Sequence, residues 1–409
     1  MMPSGRTLFI SYNGALEPLG QSQVIPYLKG LSENGLSVAL LTFEKADAFS
    51  QDRSEERSQL KSILSRSSIA WYALRYHKRP SLVATLFDIV WGILISSSIV
   101  MTQKIQVVHA RSYVPAVIAL ALKKLFRIKW IFDMRGFMAE EFEDAGLWKR
   151  NDLKFKLVKF MERRFLKSAD SIVVLTKKAK GILQTFDVPQ GCSTPITVIP
   201  CCVDLKQFTP HCPDLIGEKF KRHDRTVLTY IGSLGSWYLA AEMVDFFAVA
   251  KGLIPNLYFL ILTQSNHAMI KNLLEHKGLT AQQDYEVKMV APREVPGYLK
   301  TSDIGISLIK PCFSKLASSP TKIGEYLACG LPIMTNRGIG DLDELIEEEG
   351  IGVIIEEWSL AAYQHAVEQF ISLLAQPGIR ERCREVARKH FSLGEIGVPR
   401  YLDVYEKLQ

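Results

Sequence analysis

An alternation of short apolar stretches with amphipathic ones constrains this chain more than any other feature, and it runs twice. Leu8 to Tyr12 reads as a buried strand, and Asn13-Gly14-Ala15-Leu16-Glu17-Pro18-Leu19-Gly20-Gln21-Ser22 as a loop of turn formers. Val24, Leu28 and Leu31 then recur at helical spacing up to Asn34-Gly35, and Ser37 to Phe43 is the next strand. Strand, loop, helix and strand within about 40 residues make a βαβ unit, which requires a parallel sheet. The loop lacks the Gly-x-Gly-x-x-Gly fingerprint for dinucleotides. It still lies at the carboxyl end of the first strand, where α/β sheets bind ligands.

Apolar stretches at Ile69 to Tyr76, Ile105 to Val108, Trp130 to Phe132, Ala169 to Leu175 and Thr197 to Pro200 continue the first half. Two neighbours deliver polar residues to their carboxyl ends: His109 and Arg111 after one, Asp133 and Arg135 after the other. The acidic Glu140-Glu141-Phe142-Glu143-Asp144 follows closely. Polar side chains gathered at such ends mark a candidate site. Phe208-Thr209-Pro210-His211-Cys212-Pro213 reads as a linker. The pattern restarts with a strand at Thr226 to Ile231 and the glycine turn Gly232-Ser233-Leu234-Gly235-Ser236. Further strands fall at Leu257 to Leu262, Glu286 to Val290, Ile304 to Ile309 and Gly352 to Ile355. Two doubly wound α/β domains are expected.

In the second half, Ser319 to Pro332 reads as a helix with its start and stop signals. Ser319 is the expected N-cap, Pro320 the first helical residue, and Gly330 with Pro332 the stop. Lys322 is misplaced for stability, because the dipole disfavours a cation in the first turn by roughly 0.3–1 kcal/mol. A capping box would put Glu or Gln there. A Lys beside open helical amides suits a bound anion, and Glu325 one turn on could accept hydrogen bonds from ribose hydroxyls. These residues fit a nucleotide-diphosphate site, and equally a capped surface helix with a solvated Lys.

The length of 409 residues and hydrophobic content of 47% suit two domains with sizeable cores. Seven Cys without regular spacing, and no signal-peptide pattern before Leu8-Phe9-Ile10, lead to the expectation of a reducing, cytoplasmic setting. The net charge of +7 is uneven: residues 1–200 carry 28 Lys and Arg against 17 Asp and Glu. A basic half calls for an anionic partner, such as a phosphate-bearing substrate or a membrane surface. The aromatic–basic interleaving of nucleic-acid surfaces is missing, so no nucleic acid is expected. Leu82 to Met101 is apolar and, at 20 residues, long enough to cross a bilayer, but Asp88 and Ser96-Ser97-Ser98 interrupt it. A buried or partly exposed helix, a membrane-surface helix and a span all remain open. Lys78, Arg79 and Lys104 beside it would suit an anionic lipid surface.

Three groups of residues carry a family resemblance. They are Val198-Ile199-Pro200-Cys201-Cys202-Val203-Asp204 with Phe208 and Pro210; Glu162 with Ala169 to Leu175; and Glu325-Tyr326-Leu327-Ala328-Cys329-Gly330-Leu331-Pro332. Together they resemble family 4 of the retaining (group 1) glycosyltransferases over nearly the whole chain. The resemblance implies an α/β, GT-B fold of two doubly wound Rossmann-like domains facing across a cleft. The acceptor-binding domain would span residues 1–203 and the donor-binding domain 204–390, with a closing helix in 391–409 crossing back to the first. It also implies a hexosyltransferase-type enzyme that moves a sugar, with retention, from a nucleotide-sugar donor to a glycan or lipid-linked acceptor. The expected setting is bacterial surface-polysaccharide assembly, in the cytoplasm or peripheral on the inner membrane face, without a metal or other cofactor. Asp341-Leu342-Asp343 has the spacing of a metal motif but reads as a helix start.

By the same resemblance, Lys322, Glu325, Arg135 and His109 are candidate catalytic residues. Gly232, Ser233, Ser319, Thr321, Val290 and Pro292 join Lys322 and Glu325 around the donor. Gly20, Gln21, Arg111, Asp133 and Glu140 fall to the acceptor. The chain departs from the family at Ala317, where a Glu is usual, and at Arg135, where many members carry His. Cys201-Cys202 replaces Asn-Gly, and the usual Arg and Lys are missing from the Gly232 turn. The departures leave Lys322 as the main expected cation on the diphosphate. A nucleotide-sugar epimerase of the same fold, or a non-catalytic sugar-nucleotide-binding protein, are the alternatives.

Overall fold

The computed structural model describes residues 5–79, 81–185, 194–210, 225–235, 237–265 and 267–408. Ser236 of the glycine turn and His211-Cys212-Pro213 of the linker lie outside them. The chain divides into two compact units: residues 1–200 with 393–409, and residues 201–392. The division falls at 200/201, three residues before the boundary read from the sequence.

The first unit alternates strands and helices: β1 (Arg6–Ser11), α1 (Pro18–Gln23), α2 (Ile25–Glu33), β2 (Ser37–Glu44), α3 (Ser54–Arg66), β3 (Ile69–Arg75) and α4 (Ser81–Gln103). It continues with β4 (Val107–Arg111), α5 (Tyr113–Phe126), β5 (Lys129–Asp133), α6 (Met138–Asp144), α7 (Leu153–Ser168), β6 (Ser171–Val174), α8 (Lys177–Thr185) and β7 (Ile196–Val198). All seven strands are parallel, in the order β3-β2-β1-β4-β5-β6-β7. The order reverses between β1 and β4, where the register sets Ser11 beside Arg111, and Arg111 beside Asp133 on β5. Strands covered on both faces must be apolar nearly throughout, and Leu8, Ile10, Leu40, Leu41, Val108 and Phe132 are almost fully buried. The loop after β1 is shorter than expected, because Pro18 starts helix α1 within it.

Leu82 to Met101 lies in α4, which packs along α5. Its one acid points inward: Asp88 accepts hydrogen bonds from Tyr12 Oη at 2.8 Å and the His77 amide at 3.1 Å, and contacts His77 Nδ1 at 2.6 Å. Gly92 makes the close packing possible, since a Cβ there would come within 2.6 Å of Ile118. One side of α4 is thus packed into the fold, and its other side is exposed.

The second unit carries β8 (Thr226–Ile231), α9 (Ala240–Leu253), β9 (Leu257–Leu262), α10 (His267–His276), β10 (Tyr285–Lys288), α11 (Val295–Lys300), β11 (Ile304–Ser307) and α12 (Thr321–Ala328). Then come β12 (Ile333–Asn336), α13 (Leu342–Glu349), β13 (Gly352–Ile355), α14 (Leu360–Leu374) and α15 (Ile379–Val386). Its six parallel strands run β10-β9-β8-β11-β12-β13, reversing between β8 and β11. The last helix, α16 (Val398–Glu406), belongs to the first unit. It packs on α2 over Gly30, where a Cβ would sit 2.4 Å from a Val398 methyl.

Candidate functional site

In the second unit, α12 is pinned to the sheet at its reversal point. Tyr326 Oη accepts from the Ile231 amide at 2.9 Å and donates to the Ile306 carbonyl at 3.2 Å. Its ring lies on Gly305, where a Cβ would come within 2.4 Å of it. The helix ends in a Schellman motif. The Leu331 amide donates to the Tyr326 carbonyl, the Gly330 amide to the Leu327 carbonyl, and Gly330 takes φ +78°.

The start of α12 faces the end of β8. Lys322 is only 5% exposed, and its Nζ lies 4.1 Å and 3.7 Å from the ring centres of Tyr230 and Tyr238. Among the described residues the ammonium has no hydrogen-bond partner. It stands 3.0 Å from where a Cβ on Gly232 would be, and Gly232 takes φ +125°, so a side chain there would be both strained and in the way. Burial pushes the Lys322 pKa well down, with only the Glu325 charge opposing. Burial pushes the Glu325 carboxyl up to about 7 against the pull of Lys322. The first amides of α12, those of Thr321 and Lys322, have no intrahelical acceptor. One helix start thus gathers amides, a buried cation and a carboxyl one turn on.

Ser319 is not the cap. Pro320 takes that place in extended conformation, and the Ser319 hydroxyl accepts from the Cys201 amide at 3.1 Å. Ser233 is exposed beyond Gly232, and its carbonyl accepts from Tyr230 Oη. Val290 and Pro292 lie past β10, at the edge of the sheet and two strands from β8. Sequence reasoning missed Tyr230 and Tyr238, and also Lys315, a buried cation 3.8 Å from the Trp237 ring centre. The available signal was the pair of aromatic residues, Trp237 and Tyr238, directly after the glycine turn. Cations from elsewhere rest on those rings.

In the first unit, the strand ends of β4 and β5 form a buried polar cluster under α16. His109 is fully buried beneath Tyr405, with Nδ1 2.8 Å from Tyr405 Oη and Nε2 3.5 Å from Asp133. Burial lowers its pKa against the pull of Asp133. The open strand-end His expected from the sequence is therefore a neutral core imidazole. Asp133 accepts from Tyr401 Oη at 3.0 Å and lies 3.6 Å from Arg135. Burial would raise its pKa, but Arg135, His109 and Arg111 outweigh it and hold the carboxyl at about 2. Arg135 has φ +58° and Ser112 φ +73°, non-glycine residues in the left-handed region, a cost that clusters at functional sites.

The other acceptor candidates stand apart from this cluster. Glu140 sits on α6, 2.7 Å from Lys159 of α7, which also pairs with Glu162. Gly20 and Gln21 lie in α1 and pack back against the loop after β1. A Cβ on Gly20 would lie 2.2 Å from the Gly14 carbonyl, and Gln21 Nε2 donates to the Ala15 carbonyl at 2.6 Å. Asp343 accepts from the Gly338 amide at the start of α13. No group of three or more His, Cys, Asp or Glu that could hold a metal ion occurs among the described residues.

Two parallel, doubly wound units with polar strand ends define the GT-B class of glycosyltransferases. Family models bear this out: "Glycosyltransferase Family 4" matches residues 23–207 and "Glycosyl transferases group 1" matches residues 213–390. The chain belongs to the group 1, family 4 glycosyltransferases and is a glycosyltransferase. No curated protein sequence matches it. Among solved structures, sucrose-phosphate synthase from Thermosynechococcus elongatus is similar at TM-score 0.77 and 15% identity, covering 99% of both chains. A glycosyltransferase from Rickettsia africae follows at 0.72 and 18%, covering 99% of this chain and 98% of that one. Anabaena HepE, solved in complex with UDP and glucose, has TM-score 0.69 and 13% identity, covering 98% of each.

Proposed function

We propose that this chain transfers a sugar, with retention, from a nucleotide-diphosphate sugar to an acceptor hydroxyl on a glycan or lipid-linked molecule in surface-polysaccharide assembly. The observation that carries the donor half is Lys322: a buried ammonium without a hydrogen-bond partner among the described residues, at a helix start, against Gly232, where a side chain would not fit. An unpartnered buried cation is costly, and a diphosphate would satisfy it together with the Thr321 and Lys322 amides. The UDP and glucose bound by the Anabaena protein support a UDP-sugar as the first donor to try.

In this reading the amides and Lys322 stabilise the charge that develops on the leaving diphosphate, and Glu325 accepts hydrogen bonds from the ribose. The leaving phosphate takes the acceptor proton on the same face of the sugar, so the protein supplies positioning and no nucleophile. On the acceptor side, Arg111 and Arg135 would meet an anionic group. His109, Tyr401 and Tyr405 act through Asp133 as positioning residues. No metal is required.

A thermal-shift panel of UDP-, GDP-, ADP- and dTDP-sugars, repeated with Glu325→Ala, tests the proposal. One donor class should stabilise the wild type, and the variant should lose most of the shift. An unchanged shift in the variant would remove Glu325 from the donor site. Epimerised donor formed without acceptor would contradict transfer as the reaction.

A further inference from the structure

The outward side of the helical layer carrying α4, α5 and α7 is unlike the rest of the first unit. α4 packs on α5 and α5 on α7, so the three form one layer. With Asp88 turned inward, α4 shows solvent an apolar stripe of Leu82, Val83, Leu86, Val90, Trp91 and Leu94. Those positions recur at helical spacing and cover more than a scattering of single surface residues would. Two helices along, α7 exposes Leu153, Leu157 and Phe160 amid Lys154, Lys156, Arg163, Arg164 and Lys167. The only exposed acid at this helix is Asp152, at its start. Lys78 and Arg79 stand exposed just before α4. Apolar residues among cations, without acids on the helix face, are the composition of an interfacial helix.

Topology sets where this face lies. α4, α5 and the α6–α7 segment each leave the carboxyl end of a strand, β3, β4 and β5. The first turns of α4 and α7 therefore lie at the same end of the sheet as Arg111 and Arg135. We infer that this face docks the first unit on an anionic lipid bilayer. α4 seats its apolar stripe at the boundary of headgroups and acyl chains, and α7 lays its cations on the phosphates. The strand-end cluster is then held close to the headgroups, where a lipid-borne acceptor would present its own phosphate. The choice of acceptor rests on the proposed function; the docking does not.

Co-sedimentation with vesicles of phosphatidylcholine, alone or with phosphatidylglycerol, tests the inference without turnover. The full chain should pellet with the anionic vesicles and be released by salt. Leu82→Gln/Leu86→Gln/Val90→Gln should lose binding. Lys154→Gln/Lys156→Gln/Arg163→Gln should weaken it by about a hundredfold for three charges. Circular dichroism and the donor-induced thermal shift, which report fold and donor site, should match the wild type in both variants. No pelleting with anionic vesicles, or wild-type binding in both variants, would overturn the inference. So would a wild-type dimer that the α4 variant turns into a monomer, since a second copy would then cover the stripe. Loss of the donor shift with vesicle binding intact would instead count against the proposed donor site.

Discussion

Lys322 occupies a place that works against stability. It sits in the first turn of α12, buried, with two aromatic faces and, among the described residues, no hydrogen bond to offset its lost hydration. Lys322→Met keeps the length and removes the charge. It should raise the unliganded protein's unfolding free energy in urea by about 1–3 kcal/mol. Glu325 gives a pH signature. Its carboxyl is raised to about 7, so the ionised form, the stronger acceptor for ribose hydroxyls, is lost as pH falls through that value. Donor affinity should fall as pH drops from 8 to 5 in the wild type, by several-fold in all, and lose most of that dependence in Glu325→Gln, as read by titration across that range. The misfit of Lys322 with the helix dipole was legible in the sequence. Its housing was not, because Tyr230 comes from β8 and Tyr238 from beyond a glycine turn, and only the folded sheet brings their faces together. Ser319 misled for a related reason: a good capping residue was drawn off by the Cys201 amide.

At the scale of elements, α16 closes the first unit by covering the strand-end cluster. Tyr401→Phe removes the hydrogen bond to Asp133, and Tyr405→Phe those with His109 and Thr7; the first should cost about 1 kcal/mol in urea unfolding and the second about 1–2 kcal/mol. Gly30→Leu should cost more, about 1–3 kcal/mol, because its side chain meets Val398. The helices and strands themselves were readable from periodicity, since each is a local pattern. The fate of His109 was not, because the residue that buries it lies 296 positions away. The apolar run in α4 was equally ambiguous: a sequence shows that Asp88 is charged but not that Tyr12 and His77 wait for it on the inward side.

For the molecule as a whole, the alternation of strands and helices was enough to yield two doubly wound sheets, and three sparse motifs were enough to place the family. The acceptor chemistry was less legible, because it depends on which polar side chains remain open after packing, and Gly20, Gln21 and His109 proved to be occupied within the fold. A site that relies on amides and a lysine predicts that exhaustive chelation leaves transfer undiminished; loss restored by Mn²⁺ or Mg²⁺ would speak against it. The donor clamp at the start of α12 is the central claim, and calorimetric titration of the stabilising nucleotide sugar tests it most directly. The wild type should bind saturably, and Lys322→Met about ten- to a hundredfold more weakly. Equal affinity in the two proteins would contradict it.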